Sequence, residues 1–329
     1  MENLMGLKWG VIGAGSVAQR RAMPAINKAA NAELHALMSR DEDRAKQLSE
    51  KHGASKYYTS VTDLISDTEL DAVYISTPVY MHCEPTIEAA GNGLHIMCDK
   101  PMAMNMNECQ RMIEACSSNG VQLQICFLFR FHSAFQQIRE WIIEGRLGRI
   151  VQARMPFMKY APKSSGDWHI DPSKSGGGSL IDLGAHSIDL LEYLIGEVVE
   201  VSAFCNSVIH NYDVDETAML MMRFKNGGQA VTETSFTAVG SDQILEIYGT
   251  DGSVVVFNDE GWKIQTVIDD QRQVIGSQYE DLFQLQFEHF ARCVAGNEQP
   301  VVSGGDGLRN MQIITAAYES AESKKVVLV

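Results

Sequence analysis

Residues 8–18 read Lys-Trp-Gly-Val-Ile-Gly-Ala-Gly-Ser-Val-Ala, and the reading of this stretch decides the fold. Lys8 to Ile12 is a short apolar run of strand type, and a helical pattern begins at Val17 and runs to residue 30. Between them, Gly13 permits a tight turn, Gly15 lets the backbone come close to a pyrophosphate, and Ala18 is small enough for helix and strand to pack. The helix N-terminus that begins at Ser16 and Val17 then faces the anion. Two glycines alone make an ordinary turn; with a strand before, a helix after and further alternations downstream, they predict dinucleotide binding.

Those alternations fill the first third of the chain. Residues 33–38, 71–76, 94–97 and 121–128 are expected as strands, and 41–52, 81–90 and 105–119 as helices, stopped by Gly53, Gly91 and Gly120. Strand alternating with helix is the pattern of a parallel, doubly wound sheet. After residue 130 the pattern changes: a helix at 133–144 is followed by strand-like runs at 198–208, 217–224, 229–237, 244–249 and 253–258. Asn226-Gly227-Gly228 marks a hairpin between two of them. A closing helix is expected at 307–323, then a short strand at 326–329 that could join either sheet. The expected fold class is α/β: an N-terminal Rossmann doubly wound sheet over residues 1–128, and a C-terminal α+β domain with a large, mainly antiparallel open sheet over residues 129–329.

Composition narrows the function. The 329 residues carry 27 basic and 42 acidic side chains, a formal charge of -15. Without a basic cluster, that charge repels a polyanion and argues against nucleic acid. No run of about 18 apolar residues suggests a membrane span. Seven cysteines (83, 98, 109, 116, 126, 205, 293) are scattered and never spaced Cys-x-x-Cys. Reduced cytoplasmic thiols are expected, with neither a disulfide framework nor a zinc knuckle. The start, with an acid at Glu2, lacks the look of an export signal.

Chemistry concentrates at the carboxyl ends of the expected strands, where open α/β sheets bind ligands. The second strand ends at Ser39-Arg40 rather than at the acid usual for NAD, so NADP is expected over NAD, an enzyme accepting both being the alternative. Asp41 stands where a helix N-cap is expected. Thr77-Pro78 ends the strand expected at 71–76; His82, a turn later, reads equally as a ligand contact or as a surface histidine at a helix start. Asp99-Lys100-Pro101 follows the strand expected at 94–97, with Lys100 at the nicotinamide edge and Cys98 as a small buried residue. In Gly176-Gly177-Gly178-Ser179-Leu180-Ile181-Asp182-Leu183-Gly184-Ala185-His186, Asp182 and His186 fall on one face of an otherwise apolar helix. Acid/base work is the expected use, with a metal pair as the alternative; no metal is expected. Arg130, Tyr160, Trp168 and His169 suit a polyhydroxylated ring.

Taken together, the glycine turn, Thr77-Pro78 with His82, Lys100-Pro101, and the pattern from Gly176 to Asp189 resemble the glucose-fructose oxidoreductase, inositol dehydrogenase and MocA (Gfo/Idh/MocA) family, as does the closing segment at 301–310. The resemblance covers essentially the whole chain. It implies a Rossmann domain, a second domain whose open sheet often forms the subunit interface, and catalysis by a lysine, an aspartate and a histidine, here Lys100, Asp182 and His186. It departs at Asp99, where the family usually has glutamate, and at Val79, where asparagine is common. The expected function is NAD(P)-dependent hydride transfer to or from a sugar, a cyclitol or a related polyol, in a homodimer or homotetramer. His186 is the expected base, Asp182 orients its ring or a neighbouring hydroxyl, and Lys100 stabilises the alkoxide. A cofactor-binding regulatory protein and an NAD-dependent glycosidase are the rival readings.

Overall fold

The computed structural model describes residues 6–240 and 242–329. Residues 1–5, with the Glu2 that was read against a leader, lie outside the described residues. The strands are β1 Leu7–Ile12, β2 Ala32–Met38, β3 Lys56–Tyr58, β4 Ala72–Ile75, β5 His95–Cys98, β6 Leu123–Ile125, β7 Ile150–Met158, β8 Val198–Asn206, β9 Thr217–Phe224, β10 Gln229–Ser235, β11 Gln243–Gly249, β12 Gly252–Asn258, β13 Trp262–Ile268, β14 Gln271–Gly276 and β15 Val327–Leu328. The α-helices are α1 Met23–Lys28, α2 Glu42–His52, α3 Val61–Ile65, α4 Cys83–Gly91, α5 Met106–Ser118, α6 Ser133–Ile143, α7 Pro172–Ser175, α8 Ala185–Ile195, α9 Leu282–Val294 and α10 Gly304–Ser323.

Contacts divide the chain into two compact units. One takes the chain up to Leu128 together with Asp281–Leu308; the other takes Phe129–Glu280 together with Arg309–Val329. The expected boundary at 128/129 coincides with the first of these breaks. Residues 281–308, expected with the second domain, fold instead with the first. The reason is aromatic: Phe287 and Phe290 of α9 bring their ring centroids within 4.9 and 5.4 Å of Trp9, and Phe287 lies 5.6 Å from Tyr74. All four side chains are fully buried in one core cluster. Such burial is worth about 1.5–3 kcal/mol per large apolar side chain.

In the first unit the sheet runs β3-β2-β1-β4-β5-β6, every pair parallel. The strand order reverses between β1 and β4, and the ligand crevice of such sheets opens at that point, outside the carboxyl ends. The helix after β1 begins at Ser16 and passes through a wide π turn, Ala18–Ala22, before α1. Asp41 accepts the Arg44 N–H at 2.9 Å, as an N-cap should, and Gly53 ends α2 with φ of 76°.

In the second unit nine strands run β14-β13-β12-β11-β7-β10-β9-β8-β15. β7 and β10 pair in parallel and every other pair is antiparallel. The closing strand β15 joins this sheet, on β8. Burial alternates along the strands: Ala218, Leu220, Met222 and Phe224 of β9 point to a covered face, and Met219 and Met221 to an open one. Among the described residues, no helix is long and apolar enough to cross a membrane.

Candidate active site

In the first unit the candidate cofactor residues gather at the carboxyl ends of β1, β2, β4 and β5. Gly13 turns with φ of 91°, and a Cβ there would meet Thr77 Cγ2 at 2.8 Å and Ser76 O at 2.9 Å. Only glycine allows the loops after β1 and β4 to touch in this way. At Gly15 an added Cβ would meet nothing nearer than Ser76 O at 3.8 Å. The protein itself leaves the space over Gly15 open, a cradle that suits the close approach of a pyrophosphate. Ala18 is fully buried, as a helix–strand packing position requires.

Arg40 is exposed at the end of β2. The sequence reading missed a second guanidinium: Arg44 Nη2 donates to Ala14 O at 3.0 Å and so braces the glycine turn, with Gln19 Nε2 on the same oxygen at 2.8 Å. An arginine one turn into the helix after β2 was the available signal. His82 is not the surface histidine of the alternative reading. It is 1% exposed, its Nδ1 lies 3.0 Å from Pro101 O and its Nε2 2.9 Å from Thr77 O. Its ring therefore ties the loop after β4 to the loop after β5. Asp99 accepts from the Lys100 amide at 2.8 Å and from the Tyr74 hydroxyl at 3.2 Å. Burial and the neighbouring Asp99 push the Tyr74 phenol far up, which keeps it a donor. Lys100 is half-buried. Burial raises the Cys98 thiol well above its usual range, leaving it an inert packing group.

In the second unit the glycine-rich stretch opens a π-helical turn, Leu180–Gly184, that continues into α8. Between Leu180 and Leu191 every residue is buried except Asp182 and His186. The His186 ring packs between Phe129 and Phe157, at centroid distances of 5.4 and 5.6 Å. Asp189 does not join them. It is buried and grips Arg130, with Nη2–Oδ1 at 2.6 Å and Nε–Oδ2 at 3.1 Å, while Tyr193 lies under the guanidinium at 4.9 Å. Arg130, expected at the substrate, is thus committed to an internal ion pair. Tyr160 is exposed. Trp168 and His169 stack at 3.8 Å, and Asp167 holds His169 Nδ1 at 2.5 Å.

Among the described residues, one other cluster carries metal-type side chains. His35, Asp67 and Glu69 bring one ligand atom each within 4.8 Å of one another. Lys56 Nζ already sits 3.0 Å from Asp67 and 2.6 Å from Glu69, so the carboxylates have a cation.

A Rossmann sheet with an open glycine cradle in one unit, and an aspartate and a histidine one helical turn apart in the other, are the features of a nicotinamide-dependent oxidoreductase. Residues 7–127 match the model of an oxidoreductase family with an NAD-binding Rossmann fold, and residues 135–255 match the GFO/IDH/MocA C-terminal domain. The chain is 30% identical over 335 residues to the myo-inositol 2-dehydrogenase of Thermotoga maritima, covering 98% of each chain. It is 29% identical to a D-xylose 1-dehydrogenase (NADP(+)) of Haloferax volcanii, with 98% and 99% covered. A levoglucosan dehydrogenase solved with NADH and levoglucosan superposes with a TM-score of 0.91 at 27% identity, over 99% of this chain and all of the other. The protein belongs to the GFO/IDH/MocA family of oxidoreductases.

Proposed function

We propose that this oxidoreductase moves a hydride between a nicotinamide cofactor and a carbinol or carbonyl carbon of a sugar, cyclitol or related small polyol, with NADP preferred to NAD. The observation that carries the reading is the exposure pattern of residues 180–191, in which Asp182 and His186 alone remain accessible in an otherwise buried stretch. A polar pair kept open at such a position is placed for a ligand rather than for packing. Relatives named for inositol and xylose, and a similar structure holding levoglucosan, support the polyol class.

The bound nicotinamide supplies the redox step; the chain supplies orientation and proton transfer. The His186 imidazole takes the hydroxyl proton on oxidation and returns it on reduction, its ring packed between Phe129 and Phe157. Asp182 orients that ring or a neighbouring hydroxyl, and the Lys100 ammonium offsets alkoxide charge. Gly13, Gly15, Ser16, Val17, Ala18, Ser39, Arg40, Thr77, Pro78 and Asp99 are the cofactor contacts, with His82 holding the loops that carry them. Tyr160, Trp168 and His169 are the remaining substrate contacts. The seven unpaired cysteines suit a cytoplasmic protein.

The open face of the second sheet is proposed as the surface of a homodimer or homotetramer. Phe204, Met219, Met221 and Tyr248 are exposed on its strands, and a concavity of about 440 Å³ lies over Arg154, Met221 and Tyr248. A monomer by light scattering at micromolar concentration would contradict this.

The test of function is a screen of sugars, inositols and aldehydes against NAD and NADP, following nicotinamide absorbance. Turnover of a polyol that drops by about 100- to 10,000-fold in His186→Ala, with cofactor affinity retained, is the expected result. Turnover unaffected by that substitution would remove His186 from the reaction.

A further inference from the structure

Asp215 lies in the segment between β8 and β9, and 93% of its surface is buried, since it is 7% exposed. Its carboxylate accepts four hydrogen bonds: from the Gly178 N–H at 2.9 Å, the Leu180 N–H at 2.8 Å, the Ser179 hydroxyl at 3.0 Å and the Tyr318 hydroxyl at 2.8 Å. Its backbone carbonyl takes a fifth, from the Ser179 N–H at 2.8 Å. All these donors are neutral, and among the described residues no Lys, Arg or His forms an ion pair with it. A carboxylate held this way is costly to bury and weak evidence of a role in stability alone.

What it holds is the entry to the helix bearing Asp182 and His186. Gly178, Ser179 and Leu180 are the three residues before that helix settles, and their N–H groups are among those a helix start leaves without partners. An anion there is also favoured by the positive end of the helix. The approach is so close that a Cβ on Gly178 would sit 1.9 Å from Asp215 O. This accounts for one of the three consecutive glycines in the motif. Tyr318, from α10, fixes the other side, its oxygen receiving the Gly178 N–H at 3.2 Å while its proton goes to Asp215. Asp182 follows Leu180 by two residues, and its N–H returns to Gly178 O at 3.1 Å. Any slack at Gly178–Leu180 is therefore passed to Asp182 directly, and to His186 one turn on.

On the reading of Asp182 and His186 as the reacting pair, we propose that Asp215, with Tyr318 behind it, is the positioning residue that sets the start of their helix. It touches no reacting atom; it acts through the backbone of Gly178 and Leu180. Burial raises the Asp215 carboxyl, with the four donors drawing it back, and the titratable groups facing it are Tyr318 and Cys205.

The test uses Asp215→Asn, Tyr318→Phe and Ser179→Ala in the full chain. Asn keeps the size of the side chain but turns an N–H₂ toward donors, so the helix start must shift. The expected result is a fall in kcat of about tenfold or more, since small misplacements at a reacting site are expensive, with substrate KM and cofactor Kd near wild type. The imidazole resonances of His186, assigned by their loss in His186→Ala, should shift and titrate at a changed midpoint in Asp215→Asn, and less so in Tyr318→Phe. A folded Asp215→Asn with wild-type kcat and unchanged His186 resonances overturns the proposal. If Asp215→Asn does not fold, the two milder variants decide: unchanged kcat and resonances in both overturn it. The resonances are readable without a substrate, so altered His186 signals in a protein that turns over no polyol would leave the positioning role standing and remove the proposed reaction instead.

Discussion

Nδ1 of His82 lies 3.0 Å from the carbonyl oxygen of Pro101, and its other ring nitrogen lies 2.9 Å from that of Thr77. Both partners accept, so a neutral ring donates to one of them and only a charged ring to both. Burial lowers the proton affinity of this histidine, while the carbonyls of Thr77 and Pro101 and the charge of Asp99 oppose that. His82→Ala leaves carbonyls without their donor and unties the loops carrying Thr77 and Lys100. The expected cost is about 1–3 kcal/mol of stability, with faster amide exchange over residues 99–103. Unchanged denaturant unfolding and unchanged exchange would show that the ring ties nothing.

Arg130 and Asp189 give the second prediction. Removing one partner of a buried ion pair typically costs about 3–5 kcal/mol, whereas replacing both with apolar groups of similar size is often neutral. Arg130→Ala should therefore unfold at markedly lower urea, and Arg130→Met combined with Asp189→Leu should recover most of the loss. A stable Arg130→Ala whose defect is confined to substrate KM would return the guanidinium to the substrate.

The parts of the fold that the sequence made legible are those with a one-sided or fully apolar pattern. The strands β1, β2, β4 and β5 are buried runs, the last three followed by helices that end at or near Gly53, Gly91 and Gly120, and β9 alternates without interruption. Three strands of the second sheet escaped for physical reasons. β7 carries Pro156, which argues against a central strand, yet it pairs with β10 and β11. β14 is exposed at every residue and so has no alternation to read, and β13 starts directly after an exposed turn. α9 was not among the expected helices, and nothing local said that its aromatic face belongs to Trp9. The same limit applies to the site: Asp182 and His186 could be read from their spacing, whereas the fate of Arg130 depended on Asp189, 59 residues away.

Arg40 and Arg44 should separate in their effects on cofactor choice. Arg40→Ala should weaken NADP by about 1.5–3 kcal/mol, a loss of one charged hydrogen-bonding partner, or roughly ten- to a hundredfold in Kd. NAD affinity should hardly change. Arg44, which braces Ala14 O, should affect both cofactors alike when replaced by alanine. Fluorescence titration measures all four constants; equal losses for NADP and NAD in Arg40→Ala would show that Arg40 does not read the 2'-phosphate.

Two buried histidines make stability depend on pH in a direction the geometry fixes. His132 Nδ1 accepts the Ala134 N–H at 3.1 Å, capping α6, and His289 Nε2 accepts the Val301 N–H at 3.0 Å. Each bond needs a ring nitrogen without a proton. Burial accordingly lowers both histidines below their ordinary value, against the pull of Glu280 on His132 and of Glu298 on His289. The unfolded chain takes up these protons near pH 6.5 and the folded chain resists, so the stabilisation is complete above that pH and is lost as pH falls through the lowered values. Each ring contributes a slope of at most about 1.4 kcal/mol per pH unit. Asp215 works in the opposite sense, since its raised carboxyl favours the fold below its own titration. The thermal midpoint should therefore fall between pH 7 and pH 5, and His132→Asn, which keeps an acceptor but cannot be protonated in this range, should flatten that fall. A His132→Asn protein whose midpoint falls as steeply as the wild type's over the same interval would show that protonation of this ring is not linked to folding.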